Sequence, residues 1–166
     1  MIRILMIGDI VGAPGRRALR AILPDLRRRE AVDLCVVNAE NAAAGLGLTA
    51  SLAADILSCG ADVLTTGNHV WARHELLDAI DAIPRLVRPL NGPPCWPGRT
   101  HVVLSVAGVS VLVTNALGRV GMDPADCPFR AIDALLETVR STQDVPLAVV
   151  DFHAEATAEK AAMAWH

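Results

Sequence analysis

Short apolar runs recur along the chain, and four of them end abruptly in a polar block. Ile2–Ile7 leads into Gly8-Asp9, Val32–Val37 into Asn38-Ala39-Glu40-Asn41, Val63–Thr66 into Gly67-Asn68-His69, and Leu147–Val150 into Asp151-Phe152-His153-Ala154-Glu155. Runs of this kind predict buried strands. Helical stretches lie between them, from Pro14 to about Arg29, from Thr49 to Cys59-Gly60, over His74–Ile83, over Pro128–Ser141 and from Thr157 to His166. Pro14 suits the first position of its helix, and Pro24 is expected to kink it. Thr49 and Thr157 are the expected caps of two others, the second with Glu159 in its first turn. Strands alternating with helices predict an α/β fold with a parallel sheet, whose polar blocks gather at the carboxyl edge of that one sheet.

Two stretches break the pattern. Arg85–Arg99 is rich in Pro and Gly and predicts an irregular surface excursion. His101–Val106 and Val109–Asn115, joined by Ala107-Gly108, predict an antiparallel hairpin. No repeat, low-complexity tract or linker divides the chain, so residues 1–166 read as a single domain.

Composition narrows the classes. Apolar residues make up 52% of 166, and with Tyr absent the core must rest on Ala, Val, Leu and Ile beside three Trp and two Phe. A net charge of −3 argues against general nucleic-acid binding, which needs a positive field, but not against a nucleotide as a small substrate. Cys35, Cys59, Cys95 and Cys127 lie far apart with no CxxC pair, which predicts small buried hydrophobes in a reducing compartment. No run approaches the ~20 apolar residues of a membrane span. Ile4–Ile7 passes into Gly8-Asp9 with no cleavage pattern, so a signal peptide is not expected. The expectation is a soluble cytoplasmic protein that contacts no membrane.

The blocks themselves carry the chemistry. Carboxylate, carboxamide and imidazole converging at one edge suit a divalent metal. Asp9 is either a ligand or a cap for the next helix. Gly8, Gly12 and Gly15 also invite a dinucleotide reading with Glu40 on a ribose. Their spacing is GxxxGxxG rather than GxGxxG, however, and Asp9 would put negative charge where a pyrophosphate belongs. Glu40, flanked by Asn38 and Asn41, can bridge two cations, with Asn41 adding a neutral oxygen; the alternative is a hydrogen-bonded turn. Asn68 is a candidate ligand and His69 a candidate proton donor or charge stabiliser. In the last block His153 is the better ligand, Asp151 could orient a ring from behind it, and Glu155 could do the same or cap a helix. His74, His101 and His166 read as structural or surface residues. Arg85, Arg88, Arg99, Arg119 and Arg130 lie among turns near the presumed rim, where one or two could hold a phosphate.

These residues resemble a known family. Gly67-Asn68-His69 resembles the GNH signature of calcineurin-like metallophosphoesterases. The fuller set is closer to their small bacterial YmdB-like branch, similar to 2′,3′-cyclic-nucleotide 2′-phosphodiesterases. Its stretches are Ile7-Gly8-Asp9-Ile10-Val11-Gly12, Asn38-Ala39-Glu40-Asn41, Thr66-Gly67-Asn68-His69-Val70-Trp71, Arg88-Pro89-Leu90-Asn91, Asp126-Cys127-Pro128-Phe129-Arg130 and Asp151-Phe152-His153-Ala154-Glu155-Ala156-Thr157. They span nearly the whole chain in order.

The resemblance implies a metallophosphoesterase-type α/β/β/α sandwich of mixed sheets flanked by helices, around two divalent transition-metal ions (Fe, Mn or Zn). It implies that Asp9 binds one ion, Glu40 bridges both, Asn41 assists, Asn68 and His153 bind the second, and His69 is the acid or transition-state stabiliser. The implied substrate is a small phosphodiester or nucleotide, attacked in line by a hydroxide bridging the two ions; a homo-oligomer is compatible. Val11 stands where the wider superfamily has the His of Asp-x-His, as is normal for this branch, where Asn41 can compensate. The family's later Gly-Thr-His-Thr-His block has no counterpart before Trp165-His166. The C-terminal part of the fold is therefore expected to be missing and the chain weakly active or inactive. With Mn²⁺ or Fe²⁺ it should hydrolyse far less than a chain carrying that block. The rival classes are a dinucleotide-binding oxidoreductase and a non-catalytic regulatory or interaction domain.

Overall fold

Apolar side chains on both faces of the central strands force the chain into layers. A computed structural model describes residues 1–166. The strands are β1 (Ile4–Ile7), β2 (Leu34–Asn38), β3 (Val63–Thr65), β4 (Leu86–Val87), β5 (His101–Val106), β6 (Val109–Leu117) and β7 (Leu147–His153). The α-helices are α1 (Gly12–Arg29), α2 (Ala50–Ser58), α3 (Glu75–Ala79), α4 (Pro128–Arg140) and α5 (Thr157–Trp165). β1-β2-β3-β4 form one wholly parallel sheet; β5-β6-β7 form a second, antiparallel between β5 and β6 and parallel between β6 and β7.

Successive strand residues point to opposite faces, and the core divides accordingly. On β2, Cys35 and Val37 pack with Leu19 and Leu23 of α1, Ile56 of α2 and Leu76 of α3. Leu34 and Val36 face the other way, against Val102 and Val106 of β5 and Val111 and Val113 of β6. Beyond the second sheet, Leu112 packs on Leu135 and Val139 of α4. The layers are thus helix, sheet, sheet, helix, the sandwich that the resemblance implies. No helix is long and apolar enough to cross a membrane.

Several expectations change in detail. The four polar blocks do not share one sheet: three leave the first sheet and the fourth leaves the second. Arg85–Arg99 is not a surface excursion, because Leu86 and Val87 pair with Leu64 and Thr65 as the fourth strand. Arg88 is buried and is no phosphate ligand; its guanidinium donates to the carbonyls of Pro97 (3.0 Å), Pro89 (2.8 Å) and Trp96 (3.1 Å). Trp96 meets Trp71 edge-on at 5.5 Å, which holds the proline-rich segment against the core. Pro24 lies inside α1 without ending it. Thr49 caps α2, accepting from the Leu52 amide at 3.2 Å, whereas Thr157 does not cap α5, where Ala156 holds that position. Of the cysteines only Cys35 is fully buried, its thiol pushed up to about 11 chiefly by that burial; all four are free. The hairpin turn Ala107-Gly108 has both φ values positive (48° and 80°), as a type I′ turn requires.

Candidate metal centre

Parallel strands present their carboxyl ends on one side, so the chain leaves β1, β2 and β3 at neighbouring points. Backbone bonds extend the pairing past the strands: Ile10 N–H donates to Asn38 O (3.0 Å), Gly12 N–H to Asn41 O (2.9 Å) and Ala39 N–H to Thr65 O (2.9 Å). These bonds hold the Asp9, Glu40 and Gly67 segments side by side. β7 reaches the same level from the second sheet, and it runs three residues further than its apolar pattern predicts, so Asp151 and His153 lie within the strand. Asp9, Glu40, Asn41, Asn68, His69 and His153 line one cavity of about 480 Å³.

Glu40 is at its centre and only 1% exposed. Its Oε1 lies 3.3 Å from His153 Nε2 and 3.3 Å from His69 Nδ1, and accepts from Asn41 Nδ2 at 3.1 Å; Oε2 accepts from the His69 amide at 3.4 Å. No lysine or arginine reaches it. Burial pushes its carboxyl above the ordinary carboxylate range; His153 and His69 pull it back, and Asp9 pushes it further up. A buried carboxylate without a cation is unfavourable by several kcal/mol, roughly, unless a counter-charge arrives.

The donor set fits a divalent cation. Ligand atoms of Asp9, Glu40 and His153 lie within 4.8 Å of one another, and His153 Nε2 is 3.1 Å from Asn68 Oδ1. Bonds of about 2.0–2.2 Å to one ion place adjacent donors about 3–3.6 Å apart, and His153 Nε2 has that spacing from Asn68 Oδ1 (3.1 Å) and from Glu40 Oε1 (3.3 Å). Gly67 keeps this space open: a Cβ there would lie 1.9 Å from Glu40 Oε2 and 2.8 Å from His153 Cδ2. Asn41 turns its amide nitrogen toward Asp9 Oδ2 (3.0 Å) and its oxygen toward His69 Nδ1 (3.0 Å). Ligation by its oxygen requires the amide to turn through a half-circle, an exchange of N and O that leaves the outline of the side chain unchanged.

Other expected residues fall elsewhere. Asp151 does not touch the His153 ring; its Oδ2 accepts from Asn38 Nδ2 at 3.0 Å and from the Thr65 hydroxyl. Glu155 lines the cavity and does not cap α5. None of the five arginines lines it. The basic side chain that does is Lys160, the chain's sole lysine, which is exposed and makes no ion pair. Sequence reading missed it; the available signal was its place one turn into a helix that begins directly after the last block. Glu40 is turned to two imidazoles and is not free for a ribose, and Gly15 serves packing, since a Cβ there would meet Ile10 at 2.9 Å. Both observations weigh against the dinucleotide reading. His166 sits on α4, 2.9 Å from Asp133 and edge-on to Phe129, away from the cavity.

Comparison with known proteins places the fold in a family. A family model described as YmdB-like protein matches residues 5–166. The chain is similar to a 2′,3′-cyclic-nucleotide 2′-phosphodiesterase of Bacillus subtilis (strain 168), 40% identical over 164 residues, covering 99% of this chain and 61% of that protein. It is also similar to the crystal structure of a hypothetical protein from Thermus thermophilus, with TM-score 0.90, 42% identity and coverage of 99% and 62%. A phosphatase structure from Mycoplasma pneumoniae matches with TM-score 0.89, 30% identity and coverage of 99% and 59%. The chain therefore spans about three fifths of the length of these relatives (59–62%).

Proposed function

The chain belongs to the YmdB-like family, and from that premise we propose that it is a metal-dependent phosphodiesterase acting on 2′,3′-cyclic nucleotides or similar small phosphodiesters. The observation that carries the proposal is Glu40, a buried carboxylate facing two imidazoles with no lysine or arginine beside it. The B. subtilis relative's name supplies the substrate class.

Asp9, Glu40 and Asn41 would hold one divalent ion, and Asn68 and His153 a second, with Glu40 shared. When bound, such ions supply a lowered water pKa and neutralise charge on phosphoryl oxygens. Among Fe, Mn and Zn this mixed oxygen and nitrogen set does not choose. His69 acts from the protein side. Its Nδ1 faces Asn41 Oδ1 and Glu40 Oε1; with the Asn41 oxygen turned to an ion, Glu40 Oε1 remains the acceptor, so the ring donates there and leaves Nε2 to serve the substrate. As an imidazolium, that Nε2 donates a proton to the departing oxygen or stabilises the charged phosphorane. Lys160 places a positive charge at the rim, where it draws in an anionic substrate.

Five side chains of residues 1–166 serve two ions here, fewer than two full shells require. We propose weak metal occupancy and slow turnover for this chain. The test combines Mn²⁺ uptake by calorimetry with hydrolysis of a 2′,3′-cyclic nucleotide. The expected result is uptake at the Glu40 cavity and slow hydrolysis, with His69→Ala lowering kcat about 10²–10⁴-fold and leaving uptake unchanged. No uptake at all overturns the proposal. Uptake without any metal-dependent hydrolysis favours the regulatory reading instead. Lys160→Ala is expected to raise KM about two- to fivefold at constant kcat, as one exposed charge of ~0.2–1 kcal/mol allows. A fall in kcat alone would place Lys160 in the chemistry rather than in attraction.

A further inference from the structure

We infer that Asp151 is a positioning residue that fixes the register of the two sheets beneath the cavity, and thereby the reach of His153 toward Glu40 and Asn68. The inference rests on the metal reading above, and it concerns the alignment of the ligands rather than their identity.

Side chains alternate along β7, so Val149, Asp151 and His153 share the face turned to the first sheet. Val149 packs into the apolar layer between the sheets. His153 reaches the cavity, and Asp151 lies one step below it. On the facing sheet Asn38 and Thr65 are register partners and the last residues of β2 and β3. Both donate to one oxygen, Asp151 Oδ2. Asn38 also donates to Thr66 O at 2.9 Å and accepts from the Glu40 amide at 3.1 Å. One carboxylate thus ties β7 to β3 and, through Asn38, to the backbone of Glu40. On its own sheet, the Asp151 carbonyl accepts from Asn115 Nδ2 at 2.8 Å, which fixes β7 against β6.

Apolar contacts set the spacing of two sheets, but they are non-directional and tolerate sliding along the strands. Hydrogen bonds to a charged acceptor are directional and stronger than neutral ones. A small slide of β7 would carry His153 Nε2 away from Asn68 Oδ1 and Glu40 Oε1, now 3.1 and 3.3 Å distant. Bonds at the margin tie β6 to the segment after β4 (Leu90 N–H to Asn115 O and Leu117 N–H to Asn91 Oδ1, both 2.8 Å), and Asp151 is the side chain of β7 itself, directly behind His153, that opposes the slide.

Mn²⁺ affinity and metal-free thermal stability, measured on the full chain, test this. Asp151→Ala is expected to weaken Mn²⁺ binding about 10–100-fold, the range for partners behind metal ligands, whereas Asp151→Asn, whose oxygen can still accept both bonds, restores most of it. Val149→Ala, on the same strand and face, should lower the melting temperature without weakening Mn²⁺ binding. Equal affinity in Asp151→Ala and the wild type overturns the inference. So does a loss in Asp151→Ala that Val149→Ala reproduces at the same melting temperature, since the role is then merely structural. If Asp151→Ala does not fold, Thr65→Val carries the test, and unchanged affinity there refutes the link. Absence of Mn²⁺ uptake by the wild type is a different failure: it refutes the metal reading, and the inference falls with it.

Discussion

Replacing Glu40 with Gln is expected to make the metal-free protein more stable while destroying its affinity for divalent ions. The two effects have one cause. In the fold Glu40 is 1% exposed, its carboxyl held above the ordinary range first by burial, and no ammonium or guanidinium balances it. Gln keeps the shape, and its oxygen can still accept from Asn41 Nδ2 and His69 Nδ1 on the Oε1 side; its amide nitrogen then replaces the acceptor of the longer 3.4 Å contact from the His69 amide, and the charge that burial penalises is gone. A gain of about 1–2 kcal/mol, or about 2–8 °C in a domain of this size, follows for the metal-free form. Metal binding moves the other way. Removing a residue behind a ligand weakens affinity about 10–100-fold, so removing the central anion should exceed a hundredfold. Differential scanning calorimetry with chelator and with excess Mn²⁺ reads both effects: wild type should gain melting temperature from Mn²⁺ and Glu40→Gln should not. A variant less stable than wild type in chelator would show that Glu40 is already balanced within the fold, and the electrostatic argument for a cation would fail.

What could be read from the sequence follows from the kind of contact involved. β2 and β3 were legible because a parallel strand buried on both faces is a continuous apolar run, and the polar residue that ends it marks the exit; β1 gives the same run, although it is the edge strand and its Ile4 and Met6 are exposed rather than buried. Asp9, Glu40, Asn41, Asn68, His69 and His153 were singled out in this way, each from its own local signal, and the fold brings them to one cavity. β4 was not legible. Its two residues sit in a proline-rich stretch and are recruited by pairing with Leu64 and Thr65, some twenty positions back, which no local pattern records. Arg88 misled for the same reason: a charged residue beside turns reads as solvent-exposed, yet backbone carbonyls brought round by the excursion satisfy its guanidinium in the interior.

The last strand failed differently. Its final residues are polar, so the apolar run stops at Val150, but Asp151 and His153 face inward onto a polar layer between the sheets. The same misreading assigned Asp151 to the His153 ring. Side chains two apart on a strand point the same way without stacking on each other, so an interaction across the sheets with Asn38 and Thr65 was the available partner.

Gly67→Ala should be the most damaging methyl group that can be added at this edge. The added Cβ would lie 1.9 Å from Glu40 Oε2, 2.7 Å from Glu40 Cδ and 2.8 Å from His153 Cδ2. No positive φ is involved, so the conflict is one of space and not of backbone strain. Glu40 cannot easily yield: Asn41, the His69 amide and the two imidazoles surround it, and outward movement would break the approach of the carboxylate to His153. Overpacking of this kind costs about 1–3 kcal/mol, and the relief comes from displacing the two ligands that matter most. Stability and Mn²⁺ affinity are therefore expected to fall together, in contrast to Glu40→Gln, where they separate. Gly8→Ala is the matched control, since a Cβ at Gly8 has nothing within 4 Å although it adjoins Asp9. It should stay within about 0.5 kcal/mol of wild type and bind Mn²⁺ normally. If Gly67→Ala binds Mn²⁺ as tightly as Gly8→Ala does, the carboxylate and imidazole have room to separate, and the fixed spacing on which the proposed metal site rests is not a property of the fold.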